Sequence, residues 1–144
     1  MPAPHPRSVR LARPGDVPRL ISIRAAVREN RLSDPTSIAA ADYAPYVEAG
    51  LCWVWETRGE VAGFAALDSE AASVWALFVA PGAERRGGGR ALLEALLGEA
   101  RRLGLPELRL ATEPGSRAEH VYRAAGWRPA GDDASGALLM RLTL

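Results

Sequence analysis

The sequence predicts an α/β fold, in which a mixed sheet carries helices on both faces. Short apolar runs bounded by Gly and Pro alternate with longer amphipathic stretches along the 144 residues. A strand, a long helix and a second strand follow each other over 73–111, a pattern typical of a parallel pair joined by a crossover. The apolar content of 48% and charged content of 24% are those of a globular domain.

Periodicity and turn residues predict the element order βααβββαβαββ. In chain order the elements are a strand at 8–12, helices at 17–28 and 41–49, strands at 51–57, 61–67 and 73–80, a helix at 89–103, a strand at 107–111, a helix at 117–125, and strands at 127–130 and 137–142. Asp16 and Ser116 are predicted N-caps, and Pro45 is expected only in a first helical turn. Residues 1–7 are predicted to be a disordered tail before a single domain at 8–144.

Composition argues against several classes of function. The net charge of +1 gives no reason to expect a nucleic-acid partner. No apolar run is long enough for a membrane span, and the first residues lack the apolar core of a signal peptide, so we expect a cytoplasmic protein. The chain contains no lysine, which excludes lysine-based chemistry. Cys52 is the single cysteine, and we expect it to be a small buried hydrophobe.

The stretch 73–103 carries the strongest chemical signal, a strand followed by a glycine loop and a helix start. The strand is apolar on both faces and is predicted to be central and buried. The glycines leave successive backbone N–H groups uncovered, the helix adds the positive end of its dipole, and arginines suit phosphate geometry. The predicted cradle for a diphosphate consists of Arg85, Arg86, Gly87, Gly88, Gly89 and Arg90.

Two common nucleotide-binding loops do not fit this stretch. A Walker loop requires a lysine that the chain lacks. A dinucleotide fingerprint would need a third small residue where Leu92 stands. Taken alone, the loop is therefore either a phosphate cradle of another kind or a glycine-rich turn without a ligand.

Two motifs resemble those of the GCN5-related N-acetyltransferase (GNAT) superfamily. Residues 79–92 read V-A-P-G-A-E-R-R-G-G-G-R-A-L and are similar to V-x-P-x-x-[QR]-x-x-G-x-[GA]-x-x-L, with Glu84 at the Gln/Arg position. Residues 118–127 are similar to A-x-x-x-Y-x-x-x-G-[FW], with Tyr122 as the tyrosine. Gly115 stands where the family has an asparagine, and the element order matches over nearly the whole chain.

The resemblance implies that the central parallel strands splay apart and bind acetyl-CoA, with no metal. The pantetheine arm would form hydrogen bonds with the backbone of the strand at 73–80, at Leu77, Phe78 and Val79. A backbone N–H near Phe78 would stabilise the oxyanion. An amine would attack the thioester directly, and Tyr122 would be the general acid for the leaving thiolate. A bulky residue at Gly88 is expected to weaken coenzyme binding in a folded protein.

The resemblance does not identify the acceptor or the general base. The candidate bases are Glu29, Asp34, Glu56 and Asp68, while His120 is expected to be exposed. Arg24, Arg28 and Arg31 share one helix face, which either lines an acceptor cleft or is solvated surface. Trp53, Trp55 and Trp75 are further candidate walls of such a cleft. We expect a small-molecule amine as acceptor, with a peptide or protein amine, or a non-catalytic acyl-CoA-binding module, as alternatives. A homodimer is expected by analogy with the family alone.

Overall fold

The computed structural model describes residues 8–27 and 39–144, which form a seven-stranded sheet with helices on both faces. The strands are β1 Ser8–Leu11, β2 Cys52–Thr57, β3 Glu60–Asp68, β4 Ser73–Val79, β5 Glu107–Thr112, β6 Arg128–Asp132 and β7 Leu138–Thr143. The helices are α1 Val17–Ala26, α2 Ala40–Glu48, α3 Gly88–Arg102 and α4 Arg117–Ala124. This order and the mixed sheet confirm the predicted fold class.

The sheet is split in its middle, between β4 and β5. Its strand order is β1-β2-β3-β4-β5-β7-β6, and β4–β5 is the parallel pair in an otherwise antiparallel sheet. The ladder between these two strands pairs Ser73 with Arg109, whose N–H donates to the carbonyl of Ala72 at 2.9 Å. From Val74 onward no ladder pair joins the two strands, as expected for splayed central strands.

The helices cover opposite faces of the sheet. Gly63 and Phe64 are neighbours on β3, so they point to opposite faces. A Cβ at Gly63 would lie 3.1 Å from Leu92 Cδ1 on α3, whereas the Phe64 ring lies 5.9 Å from the ring of Tyr43 on α2. Helix α3 therefore packs on one face, and α1 and α2 cover part of the other.

The core is centred on β3 and α3. Leu92, Leu96 and Ala100 of α3 are fully buried, as their helical spacing predicted. Strand β4 is central as predicted, but the expectation that it is buried on both faces is wrong. Of its seven residues only Ala76 is fully buried, because the split leaves one edge of the strand without a neighbour.

The first helix starts at Val17 as predicted, but Asp16 does not cap it with its side chain. Asp16 ends a 3₁₀ turn, Pro14–Asp16, and its side chain does not cap α1. Its carboxylate instead accepts from the N–H of Arg13 at 2.7 Å and pairs with Arg10 at 2.9 Å. Arg10 holds the pKa of Asp16 below its usual range. The Asp16 carboxylate therefore pairs with Arg10 instead of capping the N-terminus of α1.

The second helix contains its proline in the interior rather than in the first turn. Pro45 is the sixth residue of α2, where it removes one backbone hydrogen bond. Tyr43, which is buried against β3 and β4, anchors the same helix. We infer that this packing offsets the lost hydrogen bond.

The last helix begins as predicted. Ser116 Oγ accepts from the N–H of Glu119 at 3.2 Å, and Glu119 Oε1 accepts from the N–H of Gly115 at 2.7 Å. The tail at 1–7 and the loop at 31–37 lie outside the described residues. Within 8–27 and 39–144, no helix has the length and apolar character that crossing a bilayer requires.

Candidate active site

The open edge of β4 offers backbone groups for a ligand. The Phe78 carbonyl faces β3, since a Cβ built on Gly63 would lie 3.0 Å from it, and Ala80 N–H donates to the Ala62 carbonyl at 2.7 Å. Because backbone groups alternate along a strand, those of Leu77 and Val79 face the split. Within the predicted pantetheine segment, this alternation favours Leu77 and Val79 over Phe78 as hydrogen-bonding partners.

A β-bulge lies beside this edge. The β3–β4 register shifts so that Ala66 pairs with Ala76 and Leu67 with Val74, which leaves Trp75 as an additional residue on β4. Bulges bend a strand and redirect a side chain, and they are frequent next to active sites. This bulge was not predictable from the sequence, because nothing local in the sequence of β4 marks it.

The Trp75 side chain packs under the second helix. Its ring stacks on Tyr46 with centroids 4.5 Å apart and meets Tyr43 edge-on at 5.1 Å. Of the three tryptophans proposed as cleft walls, Trp75 is half-buried on this face, while Trp53 and Trp55 lie in the core.

The glycine loop leaves the start of α3 uncapped. Gly87 is the N-cap residue, with φ of 86°, and it brings no side chain to the N–H groups of the first turn. Arg85, Arg86 and Arg90 are exposed around it. Backbone donors, the helix dipole and positive charge therefore converge at the C-terminal end of β4, a combination that binds anions.

Gly88 and Gly89, which follow the N-cap residue, lie in different packing environments. A Cβ at Gly88 would lie 2.3 Å from Trp55 Cε3, so this glycine is required by packing against the indole. A Cβ at Gly89 would meet Val79 Cγ2 at an ordinary 3.6 Å. This contact argues against a bulky residue at Gly88 in a stably folded protein, because Trp55 fills that space.

Glu84 is held within the loop. Its Oε1 accepts from the N–H of Gly82 at 2.8 Å, and the side chain is exposed. The carboxylate thus stabilises the turn that precedes the cradle, and it also places a negative charge near the candidate diphosphate site. Gly115, the other departure from the family pattern, has φ of 77° and open space around a would-be Cβ.

Removing the charge of Glu84 tests its effect on the cradle. We expect Glu84→Gln to tighten acetyl-CoA binding about 2- to 5-fold, because the amide oxygen still accepts from Gly82 while the repulsion is lost. Titration calorimetry measures this change, with Glu94→Gln farther along α3 as the control. Weaker binding by the Glu84 variant would show that the carboxylate contributes more through the turn than it costs by repulsion.

Tyr122 is buried on α4 beside Trp127, with the two ring centroids 5.6 Å apart. Burial raises the pKa of Tyr122, so its hydroxyl is protonated throughout the neutral range. Helix α4 follows β5 as α3 follows β4, and parallel strands end at the same edge of a sheet. The topology therefore brings the helix of Tyr122 and the glycine loop to the open end of the split.

Two candidate bases have partners in the structure. Glu56 Oε1 lies 3.2 Å from Nε of Arg10, so its charge is already paired. Asp68 Oδ1 accepts from the N–H groups of Glu70 and Ala71 at 3.1 and 3.0 Å. Glu29 and Asp34 lie outside the described residues. No general base is assigned from these contacts.

Two further titratable residues are Cys52 and His120. Burial raises the pKa of the Cys52 thiol to about 12, which confirms a buried hydrophobe rather than a nucleophile. His120 is exposed, as expected. In the described part of the chain, no three His, Cys, Asp or Glu side chains are grouped as metal ligands would be.

Arg24 is a buried arginine on the face of α1 that meets the sheet. The sequence groups it with Arg28 and Arg31, which lie outside the described residues, on a helix face that is either solvated or lines a substrate cleft. Its side chain is buried rather than solvated, with the guanidinium carbon 4.8 Å from the Trp75 ring centroid and 4.9 Å from that of Phe78. The helical spacing could not reveal which residues of the sheet it meets.

The family model of the acetyltransferase (GNAT) family matches residues 19–127. No curated protein sequence matches the chain significantly. Among solved structures, a GCN5-related N-acetyltransferase from Rhodopseudomonas palustris superposes with a TM-score of 0.82 at 20% identity, covering 100% of this chain and 99% of that one.

Two further structures show the same likeness. A ribosomal-protein-alanine N-acetyltransferase from Brucella melitensis has a TM-score of 0.77 at 26% identity, with 95% of this chain and 99% of that chain covered. The yncA protein of Salmonella typhimurium, solved with its cofactor acetyl-CoA, has a TM-score of 0.78 at 22% identity, with 95% and 93% covered. The chain therefore belongs to the acetyltransferase (GNAT) family and is an acetyl-CoA-dependent N-acetyltransferase.

Proposed function

We propose that the chain transfers the acetyl group of acetyl-CoA to the primary amine of a small molecule. The observation that carries the proposal is the split between β4 and β5, with an uncapped helix N-terminus and three arginines at its open end. This arrangement fits a long ligand that has a diphosphate at one end and an amide-containing arm at the other.

The open edge of β4 suits the arm of such a ligand. Leu77 and Val79 offer backbone donors and acceptors that the split leaves without a β5 partner in the ladder. A ligand with amide groups would pair with them as an added strand. At the other end, Gly87, Gly88, Gly89 and the arginines would hold the diphosphate through backbone N–H groups and charge.

In the proposed reaction, acetyl-CoA supplies the thioester and this chain positions it. The acceptor nitrogen forms a bond to the carbonyl carbon, the carbon–sulfur bond breaks, and the Tyr122 hydroxyl gives its proton to the sulfur. The acceptor attacks as the neutral amine, after its ammonium has lost one proton to a base or to solvent. The proton that the nitrogen loses after attack restores the Tyr122 hydroxyl, directly or through solvent. A backbone N–H on the open edge of β4 would stabilise the oxyanion, because its position is set before the reaction begins.

The buried state of Tyr122 makes a prediction about pH. A group with a raised pKa keeps its proton to higher pH, so we expect no alkaline loss of kcat from Tyr122 between about pH 8 and pH 10. Steady-state rates over this interval measure it, with the amine held at saturation. An alkaline loss of kcat that disappears in Tyr122→Phe would contradict the prediction.

A panel of amines tests the proposed function. Release of free CoA thiol is followed with acetyl-CoA and small primary amines, and acetyl-CoA binding is titrated in parallel. We expect turnover with at least one small amine. A peptide amine is the second candidate, since a protein similar to this chain is named a ribosomal-protein-alanine N-acetyltransferase, so peptides with a free N-terminus form the second arm. Turnover on peptides alone would overturn the small-molecule assignment, and binding without any turnover would indicate a non-catalytic module.

A further inference from the structure

Two buried polar side chains on the α1–α2 face lack partners among the described residues. Arg24 on α1 is 9% exposed, and its Nε and Nη1 atoms are buried without an acceptor. Tyr43 on α2 is 1% exposed, and its hydroxyl is likewise without a partner. Both side chains contact Trp75, the bulge residue next to the open edge of β4.

A buried arginine in this position destabilises the protein unless its N–H donors are paired with hydrogen-bond acceptors. Taking a charge out of water is unfavourable, and buried guanidinium groups are normally paired with an anion. The rings of Trp75 and Phe78 recover part of this cost through cation–π contacts. These contacts do not satisfy the buried Nε and Nη1 donors, so Arg24 is prepared to receive hydrogen-bond acceptors.

We propose that Arg24 binds a carboxylate of the acceptor, so that the acceptor is a small amine that also carries a carboxylate. This inference rests on the proposed function and names the class of its substrate. Arg24 lies over Trp75 and Phe78, and both belong to the strand that borders the split. A group bound there would be held on the α1–α2 side of that strand, with Tyr43 as a second donor.

Local charge favours a carboxylate over a phosphate. Tyr46 stacks on Trp75. Burial and the negative charges of Asp68, Asp42 and Glu70 raise the pKa of its hydroxyl, and the positive charge of Arg24 opposes them. Three carboxylates therefore act on the aromatic cluster that Arg24 joins. A singly charged ligand meets less repulsion there than a doubly charged one. The same acidic groups favour an ammonium on the acceptor.

Kinetics with matched acceptors test the proposal. The panel contains α-amino acids, each with its amide and with a phosphate-bearing amine of similar size. We expect the wild-type protein to have a kcat/KM at least about tenfold higher for the best amino acid than for its amide. Arg24→Gln should remove this preference by raising KM for the amino acid about tenfold or more, with KM for acetyl-CoA unchanged. Arg24→Lys should recover part of it.

The controls separate recognition from folding. Arg19→Gln, at an exposed arginine of the same helix that bonds to the Val61 carbonyl, should keep the wild-type preference. Thermal unfolding of each variant shows whether it is folded. An equal loss of kcat/KM for the amino acid and its amide in Arg24→Gln would overturn the proposal, and so would a preference for the phosphate-bearing amine.

A binding measurement stays informative if no amine is acetylated. The probes are N-acetyl amino acids and their amides, and the signal is tryptophan fluorescence, since Trp75 lies beside the guanidinium. We expect saturable quenching by at least one acid, none by its amide, and loss of the response in Arg24→Gln. If no acid in the panel quenches the fluorescence, or if Arg24→Gln responds like the wild type, the carboxylate site is wrong. A thiol assay without turnover would count against the proposed function separately.

Discussion

Tyr122→Phe is expected to lower kcat about 100-fold, while KM for acetyl-CoA changes less than about threefold. The substitution removes the hydroxyl that would protonate the leaving sulfur and keeps the buried ring against Trp127. A general acid acts in the transition state, so its loss affects turnover rather than ground-state binding. Stopped-flow or steady-state thiol release with a saturating amine measures the change.

The neighbouring position provides the control for this prediction. Val121 is exposed on the same helix, so Val121→Ala should leave both kcat and the unfolding midpoint near wild type. If kcat of Tyr122→Phe is unchanged while single-turnover data show that chemistry limits the rate, Tyr122 has no role as the acid. A proportional rise in KM would indicate a contact with the coenzyme instead.

Gly88→Ala is expected to destabilise the fold by about 2 to 3 kcal/mol, the upper part of the usual range for overpacking. The new methyl group would lie 2.3 to 2.6 Å from three atoms of the Trp55 indole, which is itself fully buried. Neither the helix start nor the strand can retreat without disturbing the core between them. Urea unfolding followed by circular dichroism gives the change in free energy.

Two variants separate this steric effect from a general effect of losing glycine. Gly89→Ala adds a methyl group at an ordinary contact distance and should leave the free energy of unfolding within about 1 kcal/mol of wild type. Replacing Trp55 by Leu should destabilise the protein alone, but it should reduce the penalty of Gly88→Ala by more than about 1 kcal/mol in a double-mutant cycle. Additive effects in that cycle, or a Gly88→Ala protein as stable as wild type, would show that the indole contact is not limiting.

The packing of Gly88 also changes how the glycine loop should be tested. In a destabilised Gly88 variant, weaker coenzyme binding would reflect loss of folded protein as well as a lower affinity. Gly89 is the better position for that question, because its Cβ would be accommodated beside Val79. The triple glycine thus combines a backbone requirement at Gly87, a packing requirement at Gly88 and a freer position at Gly89.

Features that depend on neighbouring residues were predictable from the sequence. The strand–loop–helix–strand unit at 73–111 followed from periodicity and glycine placement, and the cap at Ser116 followed from the residue three positions later. The role of Tyr122 as general acid was predicted from the resemblance to a family. Helical spacing alone predicts a core tyrosine at this position. These signals are local because hydrogen bonds of turns, caps and helices join residues that are close in sequence.

By itself, the sequence determined the family, the element order and the place of the glycine loop and Tyr122. Only the tertiary structure decided that Trp75 forms a bulge, that Gly88 lies against Trp55, and that Arg24 is buried over the rings of Trp75 and Phe78. The physical reason is the distance along the chain between the partners. Packing and burial depend on which strand and helix meet in three dimensions, and a periodic pattern records which side of an element is apolar without recording what that side contacts.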